Sequence, residues 1–485
     1  MLDPRLIEYH LSKVQKEIGE KATLANTYFR LVKPIEESLK RYVNLEQPDR
    51  FSLIFSYITT IFQIFIEIIR SISIAVIKTR ESASFQLPKD FEIENIFVSH
   101  YTYAQNPSNP DIFFDHIPSE KDLIFYHNHT LLNRNEIQNS LDQFNFRPNV
   151  LVTTKSLGIL NTFSLQFENL RTSIKMLAYS LNCHRFNLIE RRILIYASAN
   201  QVSRQTLVNQ INLRRLDSLL SINRPSRILI TLEGHAYEAL YIDLVHEKYS
   251  EIQLMAFQHA PIVPDQFGLM KNLLKLNSND TILASGEITK QFFNSLNLTA
   301  NVRLFGSPKW RHITPGVKKR HPITVLGAAE GTYESLENFS KLFGKLDCAE
   351  LNLKLIFRVH PAVSIEESSK VLSRMQFNNN LILSHRSLEQ DLEESHYCIY
   401  RSSAVAIEGL RFGVLPLYFN PNGDQGLNPL FLAKLEMPVF RSAEDFENFF
   451  LNVSTISPRF MTYYNEELSR IGLTYYSKLD PSALN

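Results

Sequence analysis

The sequence has few cysteines, and they form no pairing pattern. Its 485 residues include three, Cys183, Cys348 and Cys398, with no Cys-x-x-Cys or Cys/His grouping around them. Disulfide frameworks and zinc sites depend on such groupings, so we interpret the three as reduced core residues of a cytoplasmic protein. The opening stretch MLDPRLIEYH has no apolar signal-peptide core, and secretion is therefore not expected.

Three further absences narrow the function. The formal net charge of +1 gives no strong field, so no nucleic-acid partner is expected. Neither a Gly-x-Gly-x-x-Gly fingerprint nor a P-loop is present, which disfavours dinucleotide-dependent redox enzymes and P-loop NTPases. No Asp-x-Asp pair occurs, although enzymes that hold a nucleotide diphosphate through a divalent ion usually need clustered carboxylates. We expect no cofactor and no metal.

What is present is an ordinary globular composition, 44% apolar and 21% charged, in a chain long enough for two or three domains. Residues 1–90 are predicted to be a helical N-terminal region with an amphipathic helix at 51–77. Residues 91–310 and 311–455 are predicted to be two Rossmann-like domains. Residues 456–485 are predicted to form a C-terminal helix that packs back across the domains.

The stretch at residues 51–77 is apolar but interrupted. Its polar positions recur every three or four residues: Ser52, Ser56, Thr60, Gln63, Glu67 and Arg70. They fall on one side of a helix and leave a wide apolar face. A membrane span with Glu67 and Arg70 near its middle would be costly. Two interpretations stay open: a helix packed on the protein's own core, or an in-plane surface for a partner or for the inner face of the cell membrane.

Short β-rich runs recur along the rest of the chain. From about residue 93 to 310 they are IFVSHY, DLIFYH, NVLVTT, RILIYA, RILITL, IQLMAF and TILASG, with predicted helices at 201–220 and 236–248. From about 322 to 455 they are ITVLGA, LKLIFRV, LILS, YCIYR, VLPLYF and PVF. Strands that alternate with amphipathic segments form mainly parallel sheets. The sequence therefore predicts an α/β fold, whose ligands lie beyond the carboxyl ends of the strands.

The first candidate residues follow the strand at 227–232. Glu233 and Gly234 come directly after it, and His235 and Glu238 lie just beyond. A carboxylate at a strand end is well placed as a general base, and glycine lets the backbone turn. The alternative for Glu233 is that it only favours the positive end of a helix. Glu238 is predicted to support the site or to cap the helix.

Two later strand ends of the same half carry weaker signals. Gln258 and His259 follow the strand at 252–257, and Gly286 follows the strand at 281–284. His259 either hydrogen-bonds a substrate or only supports the loop. Gly286 would let backbone amides approach a ligand.

The second half supplies a predicted anion site at three strand ends. Its members are Gly327, Glu330 and Gly331 after the first strand, Arg358, His360 and Pro361 at the second, and Arg401, Ser402, Ser403 and Glu408 around a helix start. Small-residue loops and helix-start amides cradle phosphate, and an imidazole can donate a proton to it. The alternative for His360 alone is a capped strand end. Glu408 either reaches a ribose or pairs with a cation.

These motifs, in this order over residues of about 225 to 420, resemble those of bacterial GT-B glycosyltransferases of surface-polysaccharide synthesis. More narrowly, the acidic-Gly, His-Pro and Ser-Ser motifs are similar to those of sialyltransferases and polysialyltransferases, and Kdo transferases share parts of the pattern. The acidic motif here is Leu232-Glu233-Gly234, with one carboxylate where the family often has two. The resemblance does not extend to the first 90 residues.

The resemblance implies a metal-independent transferase with two Rossmann-like domains facing a cleft. Glu233 would deprotonate an acceptor hydroxyl, His360 would assist the leaving phosphate, and Ser402 and Ser403 would bind that phosphate. The implied partners are a nucleotide-sugar donor, with a CMP-linked acidic sugar preferred, and a glycan or glycolipid acceptor. The alternatives are a polymer glycerophosphotransferase, a sugar-nucleotide epimerase and a non-catalytic GT-B scaffold in polysaccharide assembly.

Overall fold

The structure is a computed structural model. It describes residues 13, 50–78, 92–100, 121–127, 150–152, 159–182, 184–264, 266–310, 322–331, 333–360, 363, 365–375, 380–421, 423, 427–435, 437–453 and 468–484. The chain forms two compact units. The first comprises Met1–His259, Asp265–Ile282 and Leu298–Asn301, and the second comprises Ala260–Pro264, Leu283–Asn297 and Val302–Asn485.

The first sheet has seven described strands. They are β1 (Asn95–His100), β2 (Asp122–His127), β3 (Val150–Val152), β4 (Arg227–Thr231), β5 (Gln253–Gln258), β6 (Thr281–Ala284) and β7 (Asn301–Leu304), in the order β3-β2-β1-β4-β5-β6-β7. Every pairing whose register is described is parallel, and Asn95 of β1 lies between Asp122 of β2 and Arg227 of β4. The strand order reverses between β1 and β4. Doubly wound sheets bind their ligands at that reversal.

Helices of the first unit include α1 (Arg50–Lys78), α2 (Ile159–Ser180), α3 (Leu188–Gln201), α4 (Arg204–Ile222), α5 (Ala236–Lys248) and α6 (Phe267–Leu273). Apolar runs make the strands, because a parallel strand is covered on both faces. In β4, Ile228, Leu229 and Ile230 are all fully buried.

The second sheet repeats the same winding. Its strands are β8 (Ile323–Ala328), β9 (Leu353–Arg358), β10 (Leu381–Leu383), β11 (Tyr397–Tyr400), β12 (Leu415–Phe419) and β13 (Val439–Phe440), in the order β10-β9-β8-β11-β12-β13. All five pairings are parallel. The order reverses between β8 and β11. The helices of the second unit include α7 (Glu287–Ser295), α8 (Tyr333–Phe343), α9 (Ile365–Leu372), α10 (Leu388–Glu394), α11 (Val405–Arg411) and α12 (Ala443–Val453), and residues 468–475 are also helical.

The predicted α/β fold class with two Rossmann-like domains is confirmed, because the described residues form two parallel sheets of Rossmann-like strand order, each with crossover helices. All six strands predicted for the second half are present, and the helix predicted at 236–248 has those bounds. The helix predicted at 201–220 is observed as Arg204–Ile222.

One predicted strand is wrong. RILIYA, residues 192–197, lies inside helix α3. A capping box starts this helix, because the Asn187 side chain accepts the Glu190 N–H and the Glu190 side chain accepts the Asn187 N–H. The run is continuously apolar because α3 packs against both α1 and α2. A short apolar run buried on several sides cannot be assigned to strand or helix by periodicity alone.

The helix predicted at 51–77 is confirmed as Arg50–Lys78. One side of α1 packs on the first unit: the Tyr57 hydroxyl lies 2.6 Å from Ser180 Oγ, and Ile64 is buried beside Ala199 and Val202. In the part of the chain that the structure describes, no helix is long and apolar enough to cross a membrane. Cys348 and Cys398 are free and buried, as predicted, and Cys183 lies outside the described residues.

Residues 468–478 are held by turns of the second unit that lie far away in the sequence. Ser285 Oγ donates to the Tyr475 carbonyl at 3.2 Å, and the Ser477 N–H donates to the Ser285 carbonyl at 2.9 Å. A Cβ added to Gly286 would collide with the backbone carbonyls of Thr474 and Tyr475. Glycine at position 286 is therefore explained by the close approach of residues 474 and 475.

Candidate active site

The turn between β4 and α5 depends on Gly234. Its φ of +90° is strained for any residue with a side chain, and a Cβ there would lie 2.7 Å from the Gly268 carbonyl carbon. The turn places Glu233 directly beyond the carboxyl end of β4, at the position where the strand order reverses. His235 then occupies the N-cap position of α5.

Glu238 shapes this turn from within. Its carboxylate is fully buried and accepts the backbone N–H groups of Glu233, Gly234 and His235 at 2.8 to 2.9 Å. Asn272 Nδ2 donates to the same carboxylate at 3.0 Å. Burial, with the Glu233 charge, raises the pKa of Glu238 to about 7 against the opposing effect of His235 and the backbone N–H donors. The predicted supporting and capping role of Glu238 matches this geometry.

Helix α6 fixes the same turn from the other side. Gln266 Nε2 donates to the Glu233 carbonyl at 2.6 Å, and Asn272 Nδ2 donates to the His235 carbonyl at 3.1 Å. These bonds satisfy carbonyls that the turn leaves outside the sheet. The Glu233 backbone is therefore held on both its N–H and C=O sides.

The Glu233 side chain lies between two imidazoles. His259 Nε2 pairs with Oε1, and His235 Nε2 lies 3.3 Å from Oε2. The side chains of Glu233, His235 and His259 are 13%, 16% and 5% exposed, so the group is mostly buried with a small opening. His259 follows β5, the strand next to β4, and parallel neighbours bring their carboxyl ends together. Gln258 is buried at the end of β5.

Charge decides the ionisation of Glu233. Burial alone would raise its pKa, but the His259 charge and hydrogen bonds from His235 and His259 outweigh burial and hold the pKa of Glu233 well below its usual range. The two imidazoles therefore stabilise the charged form of the Glu233 carboxylate, which makes it a weak base in this arrangement.

An aromatic column that the sequence analysis missed lies behind His235. The His235 and Tyr237 rings stack at 5.3 Å between centroids, and Tyr237 stacks on His127 at 4.2 Å. His127 Nδ1 is 2.7 Å from the Tyr241 hydroxyl, and the Tyr237 hydroxyl is 2.9 Å from Thr231 Oγ1. The sequence feature that could have pointed to this column is the position of His127 at the end of the run DLIFYH, which forms the strand next to β1.

In the second unit, the reversal between β8 and β11 is bridged by Glu330. Its carboxylate Oε1 accepts the Ser402 N–H at 2.9 Å, and its own N–H donates to Ser335 Oγ at 3.0 Å. Ser403 Oγ accepts the Val405 N–H at 3.3 Å. Glu330 therefore holds the start of the β11–α11 turn, and the amide of Ser402 is already engaged by a carboxylate.

Arg358, at the end of β9, is part of an ionic network. Its Nη1 lies 3.0 Å from Asp391 Oδ2, while Arg386 lies 3.0 Å from Asp391 Oδ1. Ser384 Oγ donates to Asp391 at 2.5 Å, and the Asp391 side chain is fully buried. The positive charge of Arg358 is thus opposed by Asp391.

The other predicted residues of the second unit are described one by one. His360 is half-buried beyond β9, and its carbonyl accepts the Val363 N–H at 3.0 Å. Arg401 is buried, and Glu408 pairs with the buried Arg411 at 3.1 Å. Gly327 lies within β8, where a Cβ would overlap the Phe343 ring.

Three further predicted residues remain. Gly286 is the N-cap of α7, and Gly331 follows Glu330 at an exposed position. Pro361 lies outside the described residues. Within the described residues, no group of three or more His, Cys, Asp or Glu side chains is arranged to hold a metal ion.

Comparison with known proteins gives similarity in structure only. No protein-family model and no curated protein sequence matches the chain. Among solved structures, it is similar to the S. aureus MnaA–UDP co-structure, with 9% identity over 81% of this chain and 93% of that chain and a TM-score of 0.47.

Two further similar structures have comparable coverage. The Neisseria meningitidis UDP-GlcNAc 2-epimerase bound to UDP-GlcNAc shares 11% identity over 81% of this chain and 98% of that one, with a TM-score of 0.42. The glycosyltransferase of kitacinnamycin shares 11% over 80% and 96%, with a TM-score of 0.45. Similarity at this level does not identify an activity.

Proposed function

We propose that the protein is a metal-independent glycosyltransferase that moves a sugar from a nucleotide-sugar to a glycan or glycolipid acceptor of a cell-envelope polysaccharide. The observation that carries the proposal is the mostly buried Glu233 carboxylate between His235 and His259, at the strand-order reversal of a doubly wound sheet. A proton acceptor at that position is what sugar transfer to a hydroxyl requires. We place the reaction in the cytoplasm.

In the proposed reaction, the acceptor oxygen forms a bond to the anomeric carbon of the donor as its proton passes to Glu233. The bond between that carbon and the phosphate oxygen breaks, and its electron pair leaves with the nucleotide. His360 is proposed to donate a hydrogen bond or proton to the departing phosphate. A CMP-linked acidic sugar is the preferred donor, on the resemblance of the motifs.

The imidazoles beside Glu233 add a proton route to this scheme. A proton taken up by the carboxylate can pass to His259 or His235, each paired with one carboxylate oxygen. Because the imidazoles hold the pKa of Glu233 well below its usual range, the carboxylate is expected to be charged and able to accept a proton at neutral pH.

Phosphate binding in the second unit is proposed for Ser402 and Ser403, with Arg401 and His360 beside the strand ends. Further residues are proposed to support this phosphate site: Gly327, Glu330, Gly331, Arg358, Pro361 and Glu408. Because the Glu330 carboxylate already accepts the Ser402 N–H, Glu330 has a structural role and the phosphate is proposed to bind the hydroxyls of Ser402 and Ser403 and not the Ser402 amide.

The test is nucleotide release by the full chain from a CMP-linked acidic sugar, a UDP-N-acetylhexosamine and CDP-glycerol, each with and without a polysaccharide acceptor. We expect acceptor-dependent release from a sugar donor, lost in Glu233→Gln and His360→Ala and kept in Glu247→Gln, an exposed control on α5. Near-normal turnover by both site variants would defeat the assignment.

The same assay separates the alternatives. An isomerised nucleotide-sugar formed without acceptor would identify an epimerase, and release from CDP-glycerol alone would identify a glycerophosphotransferase. Nucleotide binding without turnover of any donor would identify a non-catalytic scaffold.

A further inference from the structure

Exposed apolar side chains are concentrated on one part of the first unit. Of the eighteen large hydrophobic residues that the described chain exposes, twelve lie on α1, on α2 or directly after α2. We call these twelve the α1–α2 face: Ile54, Ile58, Ile61, Phe62, Phe65, Ile66, Ile69, Leu160, Phe163, Phe167, Ile174 and Leu181. A patch of this kind on a folded protein marks an interaction surface.

On α2 the exposed residues form a regular stripe. Leu160, Phe167, Ile174 and Leu181 recur every seven residues and are 58 to 85% exposed. Seven residues are close to two helical turns, so Leu160, Phe167 and Ile174 lie along one line of the helix, and Leu181 follows directly after its end. Leu170 and Leu177 lie three residues after two of them and pack against α1. The stripe therefore borders the contact with α1.

On α1 the buried and exposed residues are both apolar. Ile64 and Ile68 pack with Leu170 and Leu177 of α2, whereas Ile61 and Phe65, one turn away, are exposed. The exposed apolar positions of α1 thus begin beside the line where the two helices touch. Both helices therefore carry exposed apolar side chains near positions that lie in their shared contact.

Charges around the α1–α2 face are mainly positive. Arg171 lies between Phe167 and Ile174 on the stripe, Lys175 and Arg185 are exposed nearby, and Arg70 is exposed at the edge of α1. The acidic residues on the same helices are Glu168 and Glu67, and Glu67 pairs with Arg70 at 3.0 Å. Apolar side chains with a cationic rim suit an anionic lipid surface, where the rim meets phosphate headgroups.

The same charges disfavour a second copy of the chain as the occupant. A two-fold dimer through this face would place one patch against itself, and Arg171 and Lys175 of both copies would be brought together. Like charges facing each other across an interface cost free energy. A bilayer with anionic headgroups has no such penalty.

We propose that the α1–α2 face docks on the surface of an anionic lipid bilayer, with α1 lying in the plane of the interface. This docking does not depend on the transferase activity, because the face shares no residue with the Glu233 cluster. The proposed membrane surface includes α2, whose sequence alone did not suggest membrane binding.

The experiment is flotation of the full chain with vesicles of phosphatidylcholine alone and of phosphatidylcholine with phosphatidylglycerol. We expect binding to the anionic vesicles, weakened by salt. Changing Phe62, Phe65 and Phe167 to Ser is expected to reduce the bound fraction about tenfold or more, because their apolar area drives insertion. All three are exposed, so the fold is kept and circular dichroism verifies it.

Two controls complete the test. Changing Ile222, Leu274 and Leu451 to Ser alters exposed apolar residues outside the face and is expected to leave binding unchanged. The double change R171E/K175E is expected to abolish the preference for anionic vesicles. Sedimentation velocity without lipid is expected to show no self-association through the face.

Failure of the wild-type chain to float with anionic vesicles would overturn the proposal. Equal losses in the Phe variant and the Ile222 control would do the same. A dimer that the Phe variant abolishes would assign the face to a second copy instead. Donor turnover with a water-soluble acceptor, measured on the same variants, is expected to be unchanged, so docking and catalysis are judged separately.

Discussion

The two units pair a buried carboxylate with different kinds of basic side chain. In the first unit, Glu233 is paired with His235 and His259, whose imidazole nitrogens can donate or accept a proton. In the second, Asp391 is paired with Arg358 and Arg386, whose guanidinium groups keep their charge. The first arrangement can take up and release protons during a reaction. The second keeps a fixed charge, so we expect the proton of the acceptor hydroxyl to be taken up by the Glu233 group of the first unit and not by Asp391.

The largest expected effect is on turnover. Glu233→Gln keeps the shape of the side chain and removes its charge, so acceptor-dependent transfer is expected to fall by about 10²- to 10⁴-fold. The free energy of unfolding should change far less. The measurement is kcat/KM for donor and acceptor, with Glu247→Gln as the matched control. If Glu233→Gln keeps the wild-type kcat/KM, Glu233 is not the proton acceptor and the proposed difference between the two units is wrong.

Next in size is the strain at the β4–α5 turn. Gly234→Ala meets both a positive φ and the backbone of residues 268 and 269, so we expect a loss of roughly 2–3 kcal/mol in the free energy of unfolding. Gly423→Ala shares the positive φ, at +72°, but has open space around the new Cβ. It should cost about 1 kcal/mol. Urea unfolding followed by circular dichroism compares the two, and equal losses would show that crowding is unimportant at Gly234.

The ionic network of the second unit gives an effect of similar size. Asp391→Asn leaves two arginines without their buried counter-charge, and we expect a loss of about 2–3 kcal/mol. Glu394 pairs with Arg386 and Lys354 at a partly exposed position, so Glu394→Gln should cost under about 1 kcal/mol.

The single tryptophan, Trp310, packs on the core of the second unit and reports its unfolding by fluorescence. If Asp391→Asn and Glu394→Gln unfold at the same urea concentration, Asp391 contributes no more to stability than Glu394 does.

An effect of comparable size on the free energy of unfolding is the pH dependence that Glu238 contributes. Its folded pKa of about 7 exceeds the ordinary 4.5, so the folded state holds a proton that the unfolded state has released between these values. Stability from this group is therefore present below about pH 4.5 and is lost as pH rises to 7, by roughly 1–3 kcal/mol. Hydrogen exchange of α5 amides at pH 5 and pH 7.5 measures the difference, and Glu238→Gln should flatten it.

The sequence was a good guide wherever the pattern was local. Apolar runs that alternate with amphipathic segments predicted both parallel sheets, and the position of Glu233 and His259 at strand ends marked each as a candidate, although their pairing was not predicted. The capped helix α3 was misassigned because Ile193, Leu194 and Ile195 are buried on several sides and show no helical period.

Other contacts could not be predicted from neighbouring residues in the sequence. Asp391 lies in an ordinary acidic helix, and only the fold brings Arg358 to it. The stack of His127 on Tyr237 joins residues that are far apart in the chain. Such contacts depend on tertiary packing, which periodicity and turn residues do not encode.

The hold of residues 468–484 on distant turns has a consequence for how the second unit assembles. The Ser285–Tyr475 bond closes a loop of 190 residues, and the bond from Arg303 to the Ala483 carbonyl closes one of 180. Closing such long loops costs entropy before it yields any contact, so we expect these bonds to form late in folding. Until residues 468–484 bind, we expect the turns at Ser285 and Arg303 to be open to a chaperone or a protease.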